Sequence, residues 1–215
     1  MMFNTNASPR NPYELMNQRR GEYEREKSLY QLLIENRIVF LGASPELTAD
    51  PRITDFTANF AIQKLLWLQY QNRNQEIHMY INSPGGSVSA TLALYDTMQY
   101  LECPVSTYCM GFAASGAAVL LTAGTKGRRY ALPNSKVMIH QPWGPVGGQI
   151  SDIEIQASEM LKERERLNEI LVKHTGQDMA IIEKETDRDR FFNAGEAKEF
   201  GLVDEVLTKI TDEKK

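Results

Sequence analysis

Glu76-Ile-His-Met-Tyr-Ile-Asn-Ser-Pro-Gly-Gly-Ser87 is the stretch whose reading decides the fold. Its first part alternates, with Ile77, Met79 and Ile81 on one side and His78 and Tyr80 on the other, a period of two that predicts a strand. Pro84-Gly85-Gly86 ends that strand, and Val88 to Tyr100 then reads as a helix. The same order recurs downstream. Val105 to Met110 is a predicted strand, Gly111 follows it, and the small-residue run Ala113 to Ala118 starts another helix. Upstream, Arg37 to Leu41 is a predicted strand and Thr54 to Tyr70 a helix with Phe56, Phe60, Leu65, Trp67 and Leu68 on its apolar face. Alternation of this kind implies an α/β fold with a largely parallel sheet.

Further along, Tyr130-Ala131 and Lys136 to His140 read as strands, and Pro142 to Gly148 as a loop. Ser151 to His174 is the longest predicted helix, with Ser151 and Glu154 as a capping box. Its Ile153, Ala157, Met160, Leu161, Leu167, Ile170 and Leu171 recur at helical spacing, and Gly176 stops it. Asp178 to Glu185 is a helix, Asp187 to Phe192 is extended, Ala194 to Phe200 is a helix, and Val203 to Leu207 is the last strand. Residues 1–27 read as a polar tail.

The chain has 215 residues with a formal net charge of −4, which argues against nucleic acid as the main partner. Its two cysteines, Cys103 and Cys109, have neither metal-ligand nor disulfide-framework spacing, so no metal site is expected. Two reduced thiols and the lack of a secretory signal or a long apolar run predict a cytoplasmic protein without a membrane span.

Ligands in α/β folds meet the carboxyl ends of strands. Three segments qualify: Ser83 to Ser87, Gly111 to Gly116, and the loop at His140. There are three histidines. His78 sits within a strand. His174 ends a long helix, where a positive charge is favourable. His140 ends an apolar strand and is placed as a general base would be. Ser115 follows a strand among small residues that let a substrate backbone approach, and free N–H groups at a helix start suit an oxyanion. Gly85-Gly86 exposes further backbone donors. An acid to orient the imidazole is offered by Asp187 and by Asp189, and spacing does not choose between them.

These segments together resemble the ClpP family, the proteolytic component of ATP-dependent Clp proteases. Tyr80 to Gly86 is similar to its glycine loop, Met110-Gly-Phe-Ala-Ala-Ser115 to its nucleophile segment, and Leu132 to Pro142 to its histidine segment. His174-Thr-Gly176, Thr186 to Phe191 and Ala197 to Asp204 are similar to later blocks. The resemblance implies the crotonase-like fold, built of repeated β-β-α units with a protruding handle helix. It implies residues 28–215 as one peptidase domain, with the handle at 144–174, and residues 1–27 as a flexible axial loop. In that handle, Gly144 to Gln149 resembles a strand that holds extended substrate.

The resemblance also assigns roles. Ser115 is the implied nucleophile, His140 the base and Asp189 the orienting acid. The N–H groups of Gly86 and Gly116 are the implied oxyanion donors. Asp187 and Arg188 match positions tied to ring–ring contacts. No cofactor is implied, because ATP is used by a partner AAA+ Clp-family ATPase. Unfolded proteins are the implied substrates, cut within a homo-oligomer of two stacked seven-membered rings. Two other classes fit the same fold: a crotonase-type acyl-CoA enzyme, and a non-catalytic ring subunit that gates an active partner. Three departures stand out from the family pattern. Gly116 occupies a position where many relatives carry Met, the loop Ala43 to Arg52 is longer, and Trp143 replaces a Leu or Ser.

Overall fold

The computed structural model describes residues 29–44 and 48–208. The axial loop expected within residues 1–27 lies outside them. Two units are distinguished, residues 1–36 and 37–215. In the first, helix α1 (Leu29–Glu35) is closed by Asn36, whose backbone N–H and side-chain amide both donate to Leu32 O.

The second unit is built on a seven-stranded sheet. Strands β1 (Ile38–Gly42), β2 (Ile77–Ser83), β3 (Val105–Ala114), β4 (Arg129–Ala131) and β7 (Glu205–Val206) run parallel, in the order β1-β2-β3-β4-β7. Helix α2 (Asp55–Gln71) connects β1 to β2, and α3 (Val88–Tyr100) connects β2 to β3. Strand β5 (Lys136–Ile139) branches from the far half of β3 in parallel, and β6 (Arg190–Asn193) pairs antiparallel with β5. This is the α/β, largely parallel arrangement expected.

Strand β3 runs four residues beyond the end predicted at Met110. The reason is a register shift, in which Ile81 pairs with Cys109 but Ser83 pairs with Ala113. Gly111, at φ 91°, supplies the left-handed backbone of this bulge, and Asn82 Oδ1 accepts the Phe112 N–H beside it. The bend lets one strand serve two neighbours: Thr107 to Cys109 pair with β4, and Phe112 to Ala114 pair with β5. The small residues after it therefore belong to strand first, and helix α4 is confined to Gly116–Thr122.

Two buried arginines fasten the sheet. The Arg37 guanidinium donates to the carbonyls of Leu68, Asn72, Gln75 and Glu76, so it caps the end of α2 and holds the entry to β2. Arg129 pairs with Asp204, with Nε 2.9 Å from Oδ2 and NH2 2.5 Å from Oδ1, and so joins β4 to the start of β7. It also donates to Thr122 O and His174 O.

Four readings change. Phe56 and Trp67 of α2 are exposed, and its buried face is Thr57, Ala58, Ala61, Leu65 and Leu68. The long helix α5 spans Ile150–Thr175, with Gln149 and Asp152 as its capping box rather than Ser151 and Glu154. Only Asn168, Ile170 and Leu171 of α5 are buried, while Ile153 and Leu161 are exposed, because its first turns extend beyond the rest of the unit. No strand forms over residues 144–149, whose backbone is irregular. Helices α6 (Met179–Thr186) and α7 (Ala194–Phe200) complete the second unit.

His174 also differs from its expected role as a positive charge. It is half-buried, its Nε2 lies 3.1 Å from the Tyr95 hydroxyl, and burial pushes its pKa down to about 4, helped by Lys173 and Arg129. It is therefore uncharged at neutral pH.

Candidate active site

Three chain segments end on one spot, and the sheet explains why. Ala114 at the end of β3 pairs with Met138 of β5, and Ser115 N donates to Met138 O at 2.9 Å. That bond fixes Ser115 beside the strand whose next residues are Ile139 and His140. On the other side of β5, Ile139 pairs with Arg190 of β6. An antiparallel register continued by one residue sets His140 opposite Asp189, not Asp187. His140 Nδ1 lies 3.0 Å from Asp189 Oδ1. The imidazole side chain is 14% exposed and the carboxylate 59%.

Asp187 faces elsewhere. Its side chain and that of Arg188 are both exposed, 3.9 Å apart. The backbone beneath them is nevertheless tied to the histidine loop. Gln141 N donates to Thr186 O at 2.6 Å, and Gln141 Nε2 donates to Asp187 O at 2.8 Å. Gln141 and Thr186 were not singled out by sequence, although Gln141 directly follows His140.

Ser115 adopts φ 55° and ψ −126°, a conformation non-glycine residues rarely enter. Strain of this kind persists only where surrounding bonds over-determine it. Here Ser115 N is bonded to β5, and Ser115 O accepts the N–H groups of Ala118 and Val119. The side chain makes no capping bond, so it is not spent on α4.

The glycine loop closes over this spot. Ile53 N donates to Gly85 O at 2.9 Å and Ser87 N to Ile53 O at 2.8 Å, so Ile53 forms a bridge alongside Gly86. A Cβ on Gly86 would lie 2.1 Å from Ile53 O, which excludes any other residue there. Ile53 is fully buried and was missed; its signal was a β-branched apolar residue closing a proline-bearing loop just before a helix. Ser83 Oγ donates to Pro51 O and steadies the same loop. Among the described residues, no hydrogen bond takes the N–H of Gly86 or Gly116.

Ser115, His140, Gly86 and Gly116 line one small cavity, along with Thr91 and Asn168. Trp143 is exposed and does not line it. A cavity of about 520 Å³ elsewhere is much larger, but it holds Lys173 and His174 and none of the residues just described. Chemistry, rather than size, marks the small one as the candidate site.

A serine hydroxyl, an imidazole backed by a carboxylate and two glycine N–H groups on an α/β sheet make up the constellation of a serine hydrolase. The comparisons narrow the class. The Clp protease family profile matches residues 20–210. The ATP-dependent Clp protease proteolytic subunit 1 of Rhodopirellula baltica is 57% identical over 184 residues, covering 86% of this chain and 78% of that protein. The chain belongs to the Clp protease family and is a serine peptidase. No described helix is long and apolar enough to cross a membrane.

Proposed function

We propose that Ser115, His140 and Asp189 carry peptide hydrolysis in this chain. The supporting observation is the His140–Asp189 hydrogen bond at 3.0 Å, in a site whose cavity Ser115 and His140 line together. Ser115 Oγ attacks the peptide carbonyl, and His140 Nε2 takes its proton and gives it to the leaving amine. Asp189 holds the tautomer with the proton on Nδ1 and stabilises the imidazolium as it forms. The N–H groups of Gly86 and Gly116 donate to the oxyanion. Water then deacylates the serine by the reverse proton path. Apart from that water, every group in this sequence is a residue of the chain.

The relative's name describes an ATP-dependent protease subunit. Carried to this chain, it makes an AAA+ Clp-family ATPase the partner that delivers unfolded protein, with this subunit cutting it in the cytoplasm. The family resemblance supports an assembly of two stacked seven-membered rings, with residues 28–215 as the peptidase domain and 144–174 as its handle. Asp187 and Arg188 are the ring-contact candidates. Their exposure and the Gln141 bonds beneath them connect that surface to the histidine loop. Native mass measurement combined with cleavage of a short fluorogenic peptide tests the reading. It expects a fourteen-subunit mass and cleavage abolished by Ser115→Ala; cleavage that survives Ser115→Ala overturns the assignment.

A further inference from the structure

The cavity beside Ser115 measures about 20 Å³. By that measure it holds about one water molecule. Val88, Val119, Leu167 and Leu171 give it an apolar wall. What bounds it next to residue 116 is Thr91 of α3. Thr91 is fully buried. Its hydroxyl donates to Ser87 O at 2.8 Å, a carbonyl that also accepts the Thr91 N–H at 3.0 Å. The hydroxyl is thus turned back onto its own helix, and the branched side chain stands against Gly116. A Cβ on Gly116 would lie 2.3 Å from Thr91 Oγ1, 3.1 Å from Cγ2 and 3.2 Å from Cβ. The first distance is an overlap, so Thr91 and any side chain on residue 116 exclude one another.

We propose that Thr91 is the specificity-determining residue of this site, taking the space that a side chain on residue 116 would otherwise fill. Its bulk restricts the residue on the acyl side of the cut bond to small side chains, alanine or serine in size. The proposal rests on the reading of Ser115 as the nucleophile. A carbonyl within reach of Ser115 Oγ and of the Gly86 and Gly116 N–H groups has the adjacent side chain at this cavity. A methyl fits there and a benzyl group does not. The coupling to residue 116 follows from the three distances. With glycine at position 91 all three contacts vanish, and a Cβ on residue 116 is then accommodated.

The test uses two fluorogenic peptides that differ only in Ala or Phe before the scissile amide. The wild type prefers Ala. Thr91→Gly raises the Phe/Ala ratio of kcat/KM about tenfold or more, the range a few methylenes supply in a pocket. Thr91→Ala, a better helix former, shifts it the same way by less. Thr91→Val keeps the bulk and keeps the wild-type ratio. Gly116→Ala loses activity on both peptides, and adding Thr91→Gly restores at least tenfold of it. A wild type that prefers Phe, a ratio unmoved in both Thr91→Gly and Thr91→Ala, or no restoration in the double variant overturns the proposal. Fluorophosphonate labelling of Ser115 is followed in every protein. Variants that label but show the wrong ratios overturn Thr91 alone, whereas a wild type that never labels overturns the nucleophile beneath it.

Discussion

His140 and His174 are both partly buried imidazoles with one side-chain partner, yet their surroundings give them opposite chemistry. His174 meets the Tyr95 hydroxyl at 3.1 Å and lies edge-on to the Tyr95 ring, with Lys173 and Arg129 nearby. Burial, helped by Lys173 and Arg129, opposes a positive charge there, so it remains neutral and serves packing. His140 meets a carboxylate at 3.0 Å. That carboxylate accepts from Nδ1 and so leaves Nε2 as the ring's free acceptor. Burial beside two cations leaves His174 a neutral structural histidine, whereas a carboxylate partner marks His140 as the candidate base.

Removing His140 gives the largest expected effect. His140→Ala should lower kcat/KM for a small peptide by about 10⁴-fold or more while leaving Tm unchanged. Asp189→Asn keeps the shape but removes the charge, and should cost about 10²- to 10⁴-fold in kcat, read by peptide kinetics. Asp204→Asn strikes the other region. It leaves Arg129 buried without its carboxylate and should destabilise the fold by about 3 kcal/mol in urea unfolding, with activity per folded molecule unchanged. The smallest effect comes from His174→Phe. His174 has a folded pKa of about 4 against an ordinary 6.5, so the unfolded chain binds the extra proton between those values. Stability is therefore lost as pH falls through that window. His174→Phe should flatten this part of the Tm–pH curve, measured from pH 7 to pH 4.5.

How much was legible in the sequence depends on what decides each feature. The strand alternation of Ile77 to Ile81 and the helix end at Gly201 are local, and they stand as read. The choice between Asp187 and Asp189 is not local. It rests on β5 and β6 pairing in one register, with Ile139 opposite Arg190, which no spacing within residues 186–190 encodes. The family resemblance supplied Asp189, and the register gives the physical reason. The apolar faces of α2 and α5 failed for another cause. Periodicity finds a hydrophobic stripe but does not say whether this chain covers it, and Phe56, Trp67, Ile153 and Leu161 remain exposed. The partnership of Thr91 with Gly116 was illegible as well. Two residues 25 apart meet only because α3 and α4 pack side by side on the sheet.

The most direct measurement is covalent labelling with a fluorophosphonate probe, located by peptide mass spectrometry, on wild type, Ser115→Ala and His140→Ala. A hydroxyl activated by His140 predicts a single labelled peptide containing Ser115, absent in Ser115→Ala and slowed at least a hundredfold in His140→Ala. Labelling at another residue, or labelling of Ser115 at an unchanged rate without His140, would contradict it.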